Sequence, residues 1–304
     1  MTALNTLLPF VLIIIVGFIT SKRKILPDSF PTSINIFLFN VAIPLFLIGS
    51  FQEFDRAELK NFFPFILVNF IIITVLYLIF YFILARVKME SAQKAALLTP
   101  SFIGNTLFFG FPILLSLFGP VYASYSIIYV AFVTNSDYIG MFLTSRITGS
   151  EFKLKDQIFD FIKTPIFISV IIGLSILILN IQLPALLLQV TESFGNIIST
   201  LIMFSFGMYI AQNFKFAGLK LSLISSSIKL LILPLVTYLI VYYVFPLDTT
   251  AAQTSVILAC TPAAFFNLLI SDNFKTDREL TISTILISSM LFFVTILLWV
   301  NIIS

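Results

Sequence analysis

Residues 99–112 read TPSFIGNTLFFGFP and lie inside a long apolar run. The run has the length of a membrane helix, but Pro100 and Pro112 enclose Gly104 and Gly110 within it. A proline inside a helix removes one backbone hydrogen-bond donor and clashes with an earlier carbonyl group. The stretch therefore predicts a helix that is broken in the middle of an apolar run.

A second stretch repeats this pattern. Residues 99–105 (TPSFIGN) and 261–267 (TPAAFFN) share Thr-Pro-x4-Asn at an offset of 162 residues. Residues 9–17 and 165–173 share Pro-x7-Gly at an offset of 156 residues. Two matches in the same order and at similar offsets indicate an internal repeat.

The composition restricts the class of protein. Of the 304 residues, 59% are hydrophobic and 10% are charged, and the mean hydropathy is +1.10. A soluble domain carries about 25% charged residues, so a soluble globular protein, a disordered chain and a nucleic-acid-binding module are excluded. There is no histidine, and a single cysteine, Cys260, permits no disulfide within the chain.

Apolar runs separated by charged, proline or glycine breaks predict an all-α polytopic membrane protein with ten helices. Fourteen of the 17 lysines and arginines lie in the loops that follow spans 1, 3, 5, 7 and 9 or, like Lys163 and Lys220, at the span ends that border them. Basic loops face the cytoplasm, so we expect a multi-pass plasma-membrane protein with both termini outside and odd-numbered loops inside. The predicted spans are 5–21, 31–50, 62–85, 95–118, 121–145, 163–181, 190–211, 218–245, 250–271 and 280–302.

The longest hydrophilic stretch, residues 146–163, carries seven charged residues in the middle of the chain. It predicts a first five-helix repeat over residues 1–150, a cytoplasmic linker over 151–162 and a second repeat over 163–304. Because five is odd, the two repeats would lie in the membrane with opposite orientation, which is a transporter architecture.

The broken helices of spans 4 and 9 are the candidate substrate site. Breaks at Pro100 and Pro262 would give half-helices whose N-terminal ends suit an anion. Asn105 and Asn267 would supply neutral donors and acceptors beside them, and Gly104 lies next to Asn105. The alternative is that the prolines only kink these helices and the asparagines only join neighbouring helices.

Two charged residues are predicted to lie within the membrane, and each is costly there. Asp137 lies in span 5, where it could couple a proton or sodium ion or form a structural salt bridge. Lys229 lies in span 8, where it could act as counter-ion for an anionic substrate or extend to the interface. We expect the two side chains to contact each other.

Enzyme motifs are absent from the sequence: there is no Walker sequence, no HExxH, no Gly-x-Ser-x-Gly and no paired Asp-rich motif. We therefore expect a protein that is not an enzyme and that holds no metal or organic cofactor. Transport would be driven by a gradient of protons or sodium ions, or run downhill.

The motif Asn105-x4-Gly110-Phe111-Pro112, followed by residues 117–120 (LFGP), resembles the span-4 motif of the auxin efflux carrier family. The resemblance implies a fold like that of bile-acid:sodium symporters and sodium/proton antiporters. Spans 1, 2, 6 and 7 would form a scaffold domain, spans 3–5 and 8–10 a transport domain, and the latter would move like an elevator. Pro112, Pro262, Asn105 and Asn267 would fall where spans 4 and 9 cross, with Asn135 in the adjoining span.

The same resemblance implies a substrate. Bacterial members are associated with malate, malonate and similar carboxylates, and plant members export auxin. We therefore expect a secondary carrier of a small organic anion that contacts the lipid bilayer, binds no nucleic acid and is compatible with a homodimer through the scaffold domain. The alternatives are a cation/proton antiporter of the same fold and a membrane receptor or sensor that transports nothing.

Overall fold

Apolar helices make up the structure. The computed structural model describes residues 3–213 and 216–303, and this part of the chain forms helices and no strands. The α-helices are α1 (Ala3–Lys22), α2 (Phe30–Phe37), α3 (Ile43–Ser50), α4 (Leu59–Arg86), α5 (Ser91–Leu98), α6 (Phe111–Phe118), α7 (Pro120–Ile128), α8 (Asp137–Thr148), α9 (Leu154–Ile162), α10 (Pro165–Leu179), α11 (Ala185–Asn213), α12 (Leu219–Ser227), α13 (Leu233–Leu239), α14 (Thr249–Ala259), α15 (Phe266–Phe274) and α16 (Arg278–Ile303).

Wide π-helical turns join several of these helices into longer rods. They lie at Leu38–Ala42, Thr106–Gly110, Tyr129–Val133, Ile228–Ile232 and Ile240–Val244. Short 3-10 turns lie at Phe51–Glu53, Arg56–Glu58 and Thr134–Ser136. A rod can therefore change its helical register without ending.

Six helical stretches of the described residues are long and apolar enough to cross a membrane. They are Phe30–Glu53, Leu59–Arg86, Pro120–Thr148, Ala185–Asn213, Leu219–Val244 and Arg278–Ile303. Shorter apolar helices lie at Leu7–Lys22, Thr106–Phe118 and Pro165–Leu179. Large apolar side chains, such as Phe63 and Val294, are exposed on these rods, as a lipid-facing surface requires. The protein is a polytopic membrane protein, and the count of ten spans stays a prediction.

Two of the predicted spans are not continuous helices. The run at 95–118 is divided between α5 and the rod that begins at Thr106, and the run at 250–271 is divided between α14 and α15. These are the two runs that contain the Thr-Pro-x4-Asn motif. The sequence prediction of a break in each is therefore confirmed.

The chain divides into two compact units, and each unit draws on both halves of the sequence. The first comprises Met1–Lys60, Phe111–Ala131 and Ile158–Phe214, and the second comprises Asn61–Gly110, Phe132–Gln157 and Lys215–Ser304. The predicted boundaries of the repeats and the predicted grouping of spans into scaffold and transport domains stay predictions.

Glycines bring helices of the first unit into backbone contact. A Cβ atom on Gly17 of α1 would lie 2.1 Å from the carbonyl oxygen of Phe204 of α11. A Cβ atom on Gly207 of α11 would lie 2.0 Å from the carbonyl oxygen of Ile14 of α1. Small residues permit this close approach in membrane helices. Gly17 belongs to the Pro-x7-Gly pattern, so at this position the pattern reflects packing.

Candidate substrate-binding site

The two broken runs meet each other in the second unit. The backbone N–H of Asn105 donates to the carbonyl oxygen of Pro262 at 2.7 Å, and the N–H of Ala264 donates to that of Ile103 at 3.0 Å. Gly104 and Ala263 thus form an isolated antiparallel bridge. We refer to residues 99–105 and 260–267 as the crossover.

This pairing explains how irregular backbone is tolerated here. A backbone polar group left without a partner in an apolar environment costs several kcal/mol. Each broken segment supplies donors and acceptors to the other, so some of the backbone groups released by the two breaks are satisfied within the protein. The sequence motif therefore fixes a contact between two segments that are about 160 residues apart.

Asn267 holds the crossover together. Its Nδ2 donates to the carbonyl oxygens of Ile103, at 3.2 Å, and Ala264, at 2.9 Å. Both amide hydrogens are thereby used by the protein. Its Oδ1 is buried and has no protein partner among the described residues.

Asn105 is different, although the sequence motif makes it the counterpart of Asn267. It is 4% exposed, and its side-chain amide has no hydrogen-bond partner in the described part of the chain. A buried amide group ordinarily finds a partner. The donor and the acceptor of the Asn105 side chain are therefore not used by the described part of the protein.

Gly104 leaves no space at the bridge. A Cβ atom at this position would lie 2.5 Å from Oγ1 of Thr261 and 2.7 Å from Nζ of Lys229. Both distances are far below a van der Waals contact, so the backbone of one segment lies directly against two polar side chains. A side chain larger than hydrogen does not fit at residue 104.

Lys229 brings a positive charge to the crossover. It lies in the π-turn Ile228–Ile232 and is 1% exposed, and it is the only Lys, Arg, Asp or Glu that is buried among the side chains the structure describes. Its Nζ donates to the carbonyl oxygen of Ala259, the last residue of α14, at 2.6 Å. Extension to the interface, one of the two alternatives for Lys229, is wrong because the ammonium group is held inside the unit.

Asp137 begins α8 and is partly buried. Its Oδ1 accepts a hydrogen bond of 3.4 Å from the hydroxyl of Tyr77, whose ring lies 4.8 Å from that of Phe102 in the crossover. The predicted contact with Lys229 is not made: no ion pair within 4.0 Å joins the two side chains among the described residues. The Lys229 ammonium group instead donates to the carbonyl oxygen of Ala259.

Comparison with known proteins shows the family of the chain. The family model described as "membrane transport protein" matches residues 2–157 and 151–300. The chain belongs to this family, which is the auxin efflux carrier family. The resemblance inferred from the span-4 motif is therefore confirmed, and the protein is a membrane transporter.

Curated relatives of this auxin efflux carrier family member cover nearly its full length. Proteins named "Uncharacterized transporter YfdV" from Escherichia coli K12, Escherichia coli O157:H7 and Shigella flexneri are each 22% identical over 307 residues. The matches cover 98% of this chain and 96% of each relative.

In this family member the predicted site residues do not all come together. Gly104, Asn105, Pro262, Asn267 and Lys229 meet at the crossover. Three others, Asp137, Asn135 and Pro112, lie elsewhere, and Asp137 begins α8.

Asn135 lies in the 3-10 turn Thr134–Ser136 of the same unit, where its Nδ2 donates to the carbonyl oxygen of Phe132 at 3.1 Å. Pro112 is the second residue of α6 and belongs to the first unit, whereas the crossover belongs to the second.

Sequence reasoning missed Tyr77, which joins Asp137 to the crossover. It is one of 10 tyrosines in a chain rich in aromatic residues, so its position gave no signal. Gly140 was a usable signal: it follows Asp137 by three residues on the same helix, and a glycine there indicates that a bulky side chain packs closely beside Asp137. A Cβ atom on Gly140 would lie 2.5 Å from Cζ of Tyr77, so the glycine makes room for the tyrosine ring.

Proposed function

We propose that the protein is a secondary carrier of a small organic anion, a mono- or dicarboxylate such as malate or malonate. The observation that carries the proposal is the free amide of Asn105 at a crossover that also contains the buried ammonium of Lys229. A carboxylate needs hydrogen-bond donors and a compensating positive charge when it leaves water. The crossover offers both.

The helices that follow the two breaks add to this environment. One rod begins at Thr106 and α15 begins at Phe266, each directly after a broken segment. A helix N-terminus carries a partial positive charge that favours an anion. In secondary transporters, discontinuous helices of this kind form the substrate site near the middle of the bilayer.

Alternating access by an elevator-like movement is part of the proposal. The residues that meet at the crossover all belong to the second unit, so one unit could carry the complete set. The proposal includes ten helices in two inverted repeats, a plasma-membrane location with both termini outside, and a homodimer through the scaffold domain.

Ligand-dependent thermal unfolding tests the proposed substrate class. Purified protein would be heated with malate, malonate, succinate, lactate or indole-3-acetate, in sodium or potassium buffer at two pH values. A ligand stabilises the folded state by mass action, so a millimolar ligand is detectable. Stabilisation by one class of acid supports the carrier. Stabilisation by sodium or pH alone, with no effect of any acid, favours the cation/proton antiporter instead.

Asp137 is the proposed coupling group. Asp137→Asn should flatten the pH dependence of uptake, because the amide takes up no proton. A single titrating group changes a rate by up to about ten-fold per pH unit, and the variant should lose this slope. Uptake into proteoliposomes over a pH series measures it.

Asp272→Asn is the matched control for this prediction. Asp272 is exposed and pairs with Arg278 at 2.9 Å, so the same chemical change there should leave the slope intact. An unchanged pH dependence in Asp137→Asn would remove Asp137 from the coupling mechanism.

A further inference from the structure

The ammonium group of Lys229 lies at the carboxyl end of a broken helix. Its Nζ is 2.6 Å from the carbonyl oxygen of Ala259, with which α14 ends just before the crossover. On the other side, a Cβ atom on Gly104 would lie 2.7 Å from the same Nζ. One cation therefore touches both broken segments.

A proline explains why the side chain reaches this position. Pro234 has no N–H to donate and its ring would clash with the carbonyl group four residues earlier, that of Leu230. The wide turn Ile228–Ile232 precedes this proline, and the Leu230 carbonyl oxygen accepts from Nε1 of Trp299 at 2.8 Å instead. The turn that carries Lys229 is thus held in place from a different helix.

The chemistry of this position is that of a cation site. The carboxyl end of a helix carries a partial negative charge. In secondary transporters, such half-helix ends and unwound backbone carbonyls coordinate the coupling cation. The ammonium group of Lys229 is a covalently attached cation that donates to one such carbonyl, that of Ala259. The partial negative charge of the helix end offsets part of the cost of burying the ammonium charge.

We propose that the Lys229 ammonium takes the place of a coupling sodium ion at the crossover, so that the carrier transports its substrate without sodium. Lys229 and the crossover belong to the same unit, so the attached cation stays with the substrate site. The transport part of this inference rests on the proposed function. The prediction that sodium does not bind at the crossover does not rest on it, because the Lys229 ammonium group already occupies the position beside the Ala259 carbonyl.

The test compares sodium chloride with N-methyl-D-glucamine chloride at equal ionic strength. The melting temperature of the purified wild type and its uptake of radiolabelled malate into proteoliposomes should be the same in both salts. Lys229→Met should lower uptake by about ten-fold or more, since it removes a hydrogen bond from a charged donor. Lys220→Met, at the exposed N-terminal end of α12, is the matched control and should transport like the wild type.

A wild-type protein that sodium stabilises or activates would overturn the inference, because bound sodium raises the melting temperature by mass action. A Lys229→Met variant that transports at the wild-type rate would also overturn it. The melting temperature of the wild type needs no substrate and no variant. If no acid is transported or stabilises the protein, the proposed substrate class fails, while the response of the melting temperature to sodium still decides this inference.

Discussion

Asn105→Ala is expected to lower uptake of the organic anion by about ten- to a hundred-fold, the range for loss of one or two hydrogen bonds to a charged group. The melting temperature should change little. The reason is that the Asn105 amide is buried and has no partner among the described residues, so its removal leaves no protein group unsatisfied. Uptake into proteoliposomes and thermal unfolding of the same preparations measure the two effects separately.

Asn267→Ala is the matched comparison and should lose both properties. Its Nδ2 donates to the carbonyl oxygens of Ile103 and Ala264, and the loss of these two hydrogen bonds costs about 0.5–1.5 kcal/mol each, although both carbonyls keep a backbone N–H donor. A sequence-based view would expect equal effects, since both asparagines end a Thr-Pro-x4-Asn motif. Equal destabilisation in the two variants, or unchanged uptake in Asn105→Ala, would contradict the assignment of Asn105 as the ligand-binding member of the pair.

Gly104→Ala is expected to abolish measurable transport and to destabilise the protein. The new methyl group would lie 2.5 Å from Oγ1 of Thr261 and 2.7 Å from Nζ of Lys229, so the two segments must separate. Overpacking of this kind costs about 1–3 kcal/mol. Uptake and thermal unfolding, measured on purified protein, report the loss.

A second substitution tests whether the contact is the cause. Thr261→Ala removes the closest of these atoms, at the cost of its hydrogen bond to the carbonyl oxygen of Leu258. The double variant Gly104→Ala/Thr261→Ala should therefore be more stable than the sum of the two single effects predicts. Strict additivity would show that the contact with Thr261 does not cause the loss.

The sequence was sufficient to locate the crossover. The prolines and the repeated Thr-Pro-x4-Asn predicted a break in each of two apolar runs, and the structure pairs these breaks with each other. Sequence alone was sufficient here because a proline within a helix removes a backbone hydrogen bond regardless of its tertiary contacts. The same rules did not distinguish Asn105 from Asn267, because the use of an amide depends on which carbonyl groups the opposing segment presents.

The direction of the Lys229 side chain could not be predicted from regular helix geometry, because it depends on a π-turn. Pro44, Pro112 and Pro234 each lie two residues after the end of a π-turn, at Leu38–Ala42, Thr106–Gly110 and Ile228–Ile232. Lys229 lies within the last of these turns, so a regular α-helical register does not give the direction of its side chain. The predicted contact between Lys229 and Asp137 is not made, and Tyr77, 60 residues away in sequence, is the hydrogen-bond partner of the Asp137 carboxyl group.

The way the chain alternates between the two units has a consequence for synthesis of the protein. Each unit is assembled from three separate segments, and the first is complete only when the segment ending at Phe214 has been made. Helices inserted early, such as α1, must therefore wait in the bilayer for a partner, α11, that the ribosome has yet to produce. Truncation near residue 150 should leave both units incomplete, whereas two fragments divided there and expressed together have all the segments needed to associate.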